Sequence, residues 1–372
     1  MGVNAMRVSA GEAQAALRAG WEAQRAGALV SSWMLHGGPG VGKTQIVQQL
    51  ATEMGARLYD LRLTTIEPQD LRGLPYYDHE TRKTLWYRPE DLPDDPDTPS
   101  VLFLDELTAA APHLQPSVYG LLQERRVGPH RLPDSVFVVA AGNTVEDGAV
   151  AYEMGSALSD RLVHLHVQAT ATDWLENYAV PQGLHPAVVA FVRTRPDLLE
   201  TTAQALDRGE MIAATPRSWE RVSRILAAVR DRRLRQMMVA GTLGEAIGAE
   251  FAVVADDIAA TVRVAEMLAV AQKSRWAMYP ATMHGLHALV YGLIGALEED
   301  NVAQVCEAMA GLRALPRERP DDGFARLPLA ELTTHGFELL LRRGLDRGLG
   351  EAFLNAPAYT AYAEEREALG IG

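Results

Sequence analysis

Residues 37–44 read GGPGVGKT, with glycines at Gly37, Gly38, Gly40 and Gly42 running directly into Lys43 and Thr44. Glycine takes backbone shapes closed to other residues, so successive N–H groups in such a run can turn toward one point. A helix starting there adds its partial positive charge. The spacing G-x-x-x-x-G-K-[ST] is that of a loop cradling the phosphates of a nucleotide, here Gly37, Gly38, Pro39, Gly40, Val41 and Gly42. Lys43 would then reach the β- and γ-phosphates, and the Thr44 hydroxyl would ligate magnesium. Lys43, Lys83 and Lys273 are the only lysines among 35 basic residues. A lysine kept at this position in so arginine-rich a chain points to chemistry.

A second group follows at 101–106, VLFLDE, where four apolar residues lead into two carboxylates. In phosphoryl transfer of this kind the first acid, Asp105, holds magnesium, usually through water, and the second, Glu106, polarises the attacking water. Residues 138–144 read VVAAGNT. The Asn143 amide, placed directly after an apolar strand, can reach between the central strands to the γ-phosphate or its water; taken alone it is also a turn former after Gly142. In ALSDRLV (157–163), Arg161 stands just before a strand at the domain edge. There it reaches a neighbour's nucleotide more easily than its own, and an arginine supplied in trans stabilises the charge of phosphoryl transfer. In isolation it reads as a solvated arginine.

TPRSWER (215–221) marks a helix start, with Thr215 as N-cap and Pro216 at the first helical position. Arg217 projects from it and could touch the γ-phosphate, coupling nucleotide state to the angle of a lid. Arg221 and Arg224 on the same helix are weaker candidates, and each of these arginines alone reads as solvated.

These residues need elements to hold them. Ser32–His36, Arg57–Leu63, Val101–Asp105, Ser135–Ala141 and Leu162–Val167 read as strands, several apolar throughout, as expected for parallel strands buried on both faces. Val41–Met54, Pro112–Glu124 and Tyr152–Asp160 read as helices between them. This alternation predicts an α/β three-layer sandwich, with ligands at the carboxyl ends of its parallel strands. Asp91–Ser100 reads as an acidic, proline-rich loop, and Arg125–Leu132 as a hairpin around a Gly-Pro turn. From about Ala169 strand signals fade. Pro186–Arg193, Pro216–Val229, Leu234–Ala249, Ala259–Ala271 and Thr282–Leu297 have helical spacing. The expected organisation is a nucleotide-binding domain over 1–168, a helical lid over 169–297 and a C-terminal helical extension over 298–372.

The chain has 372 residues, 48% hydrophobic and 22% charged, which is a globular rather than a disordered composition. Its net charge of −13 speaks against non-specific nucleic-acid binding, which needs basic patches. Cys306 is the only cysteine, excluding an intrachain disulfide or a cysteine metal cluster. Apolar runs such as Val101–Leu104 and Val136–Ala141 are too short to insert into a membrane, and the first residues show no apolar run of the secretory type. The expected location is therefore the cytoplasm.

The order GGPGVGKT, VLFLDELTAA, VVAAGNT, ALSDRLVHLHV, ATPRSWERVS resembles the Walker A, Walker B, sensor 1, arginine finger and sensor 2 motifs of AAA+ ATPases, specifically the MoxR branch. EPQDLRGLP resembles that branch's helix-2 insert, and LQERRVGPHRLPDS its hairpin before sensor 1. TDWLENYAV and AVVAFVRTRPDLL resemble the entry to its lid. The resemblance covers most of Met1–Leu297. It implies a P-loop AAA+ fold with a parallel five-stranded sheet in the order 5-1-4-3-2, followed by an all-helical lid. It also implies ATP and ADP as ligands with magnesium, and a ring, usually a hexamer, with Arg161 serving the adjoining subunit. Members typically act as chaperone-like remodellers beside a separate von Willebrand factor A domain protein, which binds metal at its own site. Leu71, Arg72, Gly73, Leu74, Pro75 and Tyr76 would then form a loop facing the pore, with Tyr76 or Tyr77 gripping a polypeptide. The other reading of this segment is a surface hairpin with its tyrosines and Trp86 packed on the sheet.

Three functions fit: an ATP-driven protein remodeller, a nucleic-acid motor or loader, and a nucleotide-timed scaffold with little turnover. The acidic balance disfavours the second, and a measured rate of hydrolysis separates the third.

Overall fold

Apolar runs that are buried on both faces must lie side by side with helices above and below, and the described residues up to 170 fold in this way. The computed structural model describes residues 4–143, 159–320 and 324–368. The chain divides into two compact units. The first comprises Met1–Thr170 with Thr201–Met211 and Thr215–Arg217; the second comprises Ala171–Glu200, Ile212–Ala214 and Ser218–Gly372.

The strands of the first unit are β1 (Arg7–Val8), β2 (Ser32–His36), β3 (Arg57–Arg62), β4 (Pro75–Asp78), β5 (Lys83–Trp86), β6 (Ser100–Asp105), β7 (Arg126–Val127), β8 (His130–Arg131), β9 (Val136–Gly142) and β10 (Leu162–Val167). Its helices of five or more residues up to residue 124 are α1 (Ala10–Arg25), α2 (Lys43–Glu53), α3 (Pro68–Arg72) and α4 (Gln115–Glu124). Six strands form one sheet in the order β1-β10-β2-β9-β6-β3, all parallel. The five long strands have the order 5-1-4-3-2 that the resemblance implies. The sheet has six strands rather than five because β1 adds to the β10 edge; two residues are too few to show a strand period in sequence.

Successive residues of a strand face opposite sides, and the core divides accordingly. Met34, Leu102, Leu104, Val138 and Ala140 pack with Leu114, Val118 and Leu121 around α4. Trp33, Leu35, Phe103, Phe137 and Val139 pack on the other face with Leu17, Trp21, Ile46, Val47 and Leu50 of α1 and α2. Full burial of such a side chain contributes roughly 1.5–3 kcal/mol. Helix α1, which the sequence reading passed over, starts at Ser9. Its hydroxyl accepts from the Glu12 N–H, while the Glu12 carboxylate accepts from the Ser9 N–H.

The insert between β3 and β6 is the short helix α3 followed by the antiparallel hairpin β4–β5. Tyr77 stands out at 72% exposed, whereas Tyr76 is 37% exposed with its ring centre 4.5 Å from that of Tyr87. Trp86 is half-buried, with the Arg72 guanidinium 4.2 Å from its ring centre. The hairpin expected over Arg125–Leu132 is β7–β8. The helix expected at Tyr152–Asp160 lies outside the described residues except for Ser159 and Asp160.

Among its described residues the second unit is helical. Phe191, Trp219 and Phe251 form an aromatic triad with ring centres 5.3–5.4 Å apart. Leu234–Ala249 is not one helix but parts of two, Arg232–Leu243 and Glu245–Thr261. Gly244 between them has φ 88°, a value that helical geometry does not allow. Similarly, Ala259–Ala271 is the end of the second of these helices plus a short one, Val264–Ala269. After residue 298 come the helices Val302–Glu318, Leu329–Asp346 and Pro357–Ala368, in the same unit as Met283–Gly295. No described helix is long and apolar enough to cross a membrane.

Candidate functional site

Strand β2 ends at His36 and α2 begins at Lys43, so the glycine-rich loop joins a strand end to a helix start. Gly37 has φ 147°, and a Cβ there would stand 2.4 Å from the Val167 carbonyl oxygen of β10. No side chain fits that approach. Gly42, the N-cap of α2, has φ 100° and no side-chain cap. The amino end of α2, with its partial positive charge, suits an anion. Lys43 is buried, and its ammonium donates to the carbonyls of Gly37 at 2.5 Å and Gly38 at 2.9 Å, and to Asn143 Oδ1 at 2.8 Å. The cation is thus held inside the loop.

Asn143 follows the end of β9, between β2 and β6 in the sheet. Its carbonyl accepts from the Thr108 hydroxyl at 2.9 Å, which fixes the residue that touches Lys43. Asp105 ends β6 and is buried, with Oδ2 3.3 Å from the Thr44 hydroxyl and Oδ1 accepting the Glu106 N–H at 2.9 Å. Two hard oxygen donors, one ionisable and buried, match what magnesium takes from protein when phosphates and water supply the rest. Glu106 sits in the left-handed region at φ 59°, which turns its side chain away from the strand line. Its carboxylate accepts from the Thr64 hydroxyl.

Two residues here escaped the sequence reading. Arg62, at the end of β3, pairs in register with Asp105. Its guanidinium lies 4.0 Å from Asp105 Oδ2 and 3.8 Å from Glu106 Oε1. Thr64 follows two residues later. Their signal is positional: once β3 is placed beside β6, whatever ends β3 must face the two acids. Asp60 on the same strand has its carboxyl pushed up, first by burial and then by the Asp105 charge, with Arg62 opposing.

Gly40 brings in a more distant segment. A Cβ there would stand 3.0 Å from Thr215 Oγ1 and 3.4 Å from Arg217 Cβ, so Arg217 abuts the loop. Arg161 does not join the group. Leu162 pairs with Ser32, which places Arg161 at the amino edge of the sheet while the loop leaves the carboxyl edge. Five residues of β2 at about 3.3 Å each separate the two by roughly 16 Å. The Arg161 guanidinium is exposed and donates to Gln123 Oε1 of α4 at 2.7 Å.

Residues 32–164 match the family model described as "ATPase family associated with various cellular activities (AAA)". With the phosphate loop, the paired acids and the 5-1-4-3-2 sheet, that match decides the class. Residues 32–164 form an AAA-type ATPase domain. Relatives of the AAA domain include mouse ATPase family gene 2 protein homolog B, 38% identical over 115 residues, or 31% of this chain and 13% of that protein. Another is the uncharacterized protein YeaC of Bacillus subtilis, 30% identical over 130 residues, or 34% of this chain and 38% of that one. The matched segments thus span well under half the length of these relatives. Among solved structures, a RuvB mutant from Thermotoga maritima aligns over 80% of this chain and 86% of its own, at 16% identity and a TM-score of 0.35.

Proposed function

We propose that the chain is an ATP-hydrolysing remodeller of a protein partner, of the MoxR branch, working as a closed ring of copies, six in the usual arrangement. The loop amides and Lys43 bind the phosphates, with Lys43 exchanging neutral acceptors for charged ones. Magnesium, held through Thr44 and Asp105, would supply charge neutralisation. Glu106 aims the attacking water, Arg62 and Thr64 hold its carboxylate beside Asp105, and Asn143 keeps Lys43 and the γ-phosphate end in line. Arg217 contacts the γ-phosphate, and Arg161 serves the adjoining copy. A head-to-tail contact that closes on itself gives such a ring. Residues 169–297 act as lid and 298–372 as a helical extension, with a von Willebrand factor A domain protein as the separate partner.

The observation that carries the remodelling reading is the β4–β5 hairpin. Tyr76 pairs with Leu85, and the Tyr87 N–H donates to the Leu74 carbonyl, so these four side chains share one face. They are 37, 38, 63 and 63% exposed, respectively, an apolar surface displayed on the unit that holds the hydrolytic centre. Glu106→Gln, purified in ATP, should retain a partner that wild type releases. Failure of the purified chain to take up Mg-ATP saturably would overturn the whole reading.

A further inference from the structure

The two edges of the sheet carry the two halves of the proposed chemistry, the phosphate loop after β2 and Arg161 before β10. A line of polar groups runs between them. His36 Nε2 lies 2.8 Å from His164 Nδ1, with the rings 14° from parallel and centres 5.1 Å apart. His164 Nε2 lies 2.9 Å from the Ser159 carbonyl oxygen and 3.2 Å from its hydroxyl. A carbonyl only accepts, so His164 carries its hydrogen on Nε2. In the neutral ring Nδ1 is then the acceptor, and His36 donates to it from Nε2. One carbonyl thus sets both tautomers, and the donors run from His36 to His164 to Ser159.

The ends of this line matter. His36 is 4% exposed and directly precedes Gly37. Ser159 stands two residues before Arg161. The β2–β10 ladder is in register from Leu162↔Ser32 to His166↔His36, so the two backbones do not slide past each other. Beyond Leu162 the ladder stops, and the bond from His164 ties the Ser159 segment back to the sheet. Burying the His36 imidazole is costlier than burying a leucine unless its polar atoms are matched, so packing alone does not account for it.

We propose that His36 and His164 are positioning residues that hold Arg161 in register with the phosphate loop of its own chain, so that the state of one site sets the arginine offered to the next. This rests on Arg161 serving an adjoining copy.

Subunit mixing tests it. His164→Phe should bind Mg-ATP within about twofold of wild type yet turn over about 10- to 100-fold more slowly, because the damage is to the arginine it offers. His164→Gln, whose amide nitrogen can still donate to the Ser159 carbonyl, should recover most of the rate. Mixing His164→Phe with Glu106→Gln should raise turnover per His164→Phe chain, since Glu106→Gln copies offer an intact Arg161 segment. Wild-type turnover by His164→Phe alone overturns the proposal. So does a mixture that fails to recover while Arg161→Ala mixed with Glu106→Gln does. If that Arg161→Ala mixture also fails, the reading of Arg161 itself falls and takes the proposal with it. Where His164→Phe does not fold, His36→Leu against His36→Gln makes the same comparison from the other end, since glutamine keeps an N–H at the Nε2 position.

Discussion

Gly37→Ala is the sharpest test of how the phosphate loop is seated. The new Cβ would stand 2.4 Å from the Val167 carbonyl oxygen, and ordinary contact begins at 3.4 Å, so loop and strand must part by about 1 Å. The φ of 147° adds backbone strain of about 1–3 kcal/mol for any residue but glycine. In a unit of this size each kcal/mol lowers Tm by roughly 2–4 °C, so about 2 kcal/mol gives a fall of roughly 4–8 °C. Turnover should suffer more, because a 1 Å misplacement of a reacting group costs on the order of 100-fold. The assay pairs a thermal melt with steady-state ATP hydrolysis, and Gly27→Ala is the control. Gly27 also has positive φ, 70°, but nothing within 4 Å of its Cβ position, so it should lose a little stability and no turnover. Gly37→Ala that folds and hydrolyses ATP within about threefold of wild type would refute the close approach of the loop to β10.

Lys43→Ala should abolish saturable Mg-ATP binding, measured by calorimetry, because it removes the only cation inside a loop that otherwise offers dipoles. Glu106→Gln should keep the affinity and slow hydrolysis by about 100-fold or more in a single-turnover assay, since the amide cannot accept the water's proton. Leu74→Ser with Tyr87→Ser should leave basal hydrolysis and Tm unchanged while abolishing partner retention by the Glu106→Gln form in pull-downs, because both side chains are 63% exposed. Burial, with Arg193, His335 and His284 adding to it, pushes His287 down from 6.5 to about 4. The folded state therefore binds fewer protons than the unfolded one between those values, so stability is full above pH 6.5 and falls toward pH 4, by at most about 3 kcal/mol. Urea unfolding across that range should show the slope, and His287→Phe should flatten it.

Much of the fold was legible one segment at a time. The runs at 101–104 and 136–141 are apolar on both faces, as in central parallel strands, and their alternation with helical segments gave the layers. Gly37–Thr44 and Asp105–Glu106 were legible because each has local chemistry: a turn only glycine makes, and charge set at a strand end. Strand β1 and the break at Gly244 were not, because two residues carry no period and one glycine inside a helical pattern is commonly tolerated.

What stayed hidden shares one physical reason. Arg62, Thr64, His36 and His164 have no unusual local setting; each matters through a neighbour on another strand. Arg62 becomes part of the centre because β3 pairs with β6 at Arg62↔Asp105, and a shift of one residue would turn it to the far face. The same register logic separates Arg161 from the loop. With Leu162 fixed opposite Ser32, no rotation of the arginine side chain spans the roughly 16 Å along β2, since an extended arginine reaches only about half that far. In the proposed mechanism the water-aiming acid and the charge-stabilising arginine leave opposite edges of one parallel sheet. Under the proposed role of Arg161, that arginine must therefore come from a second copy.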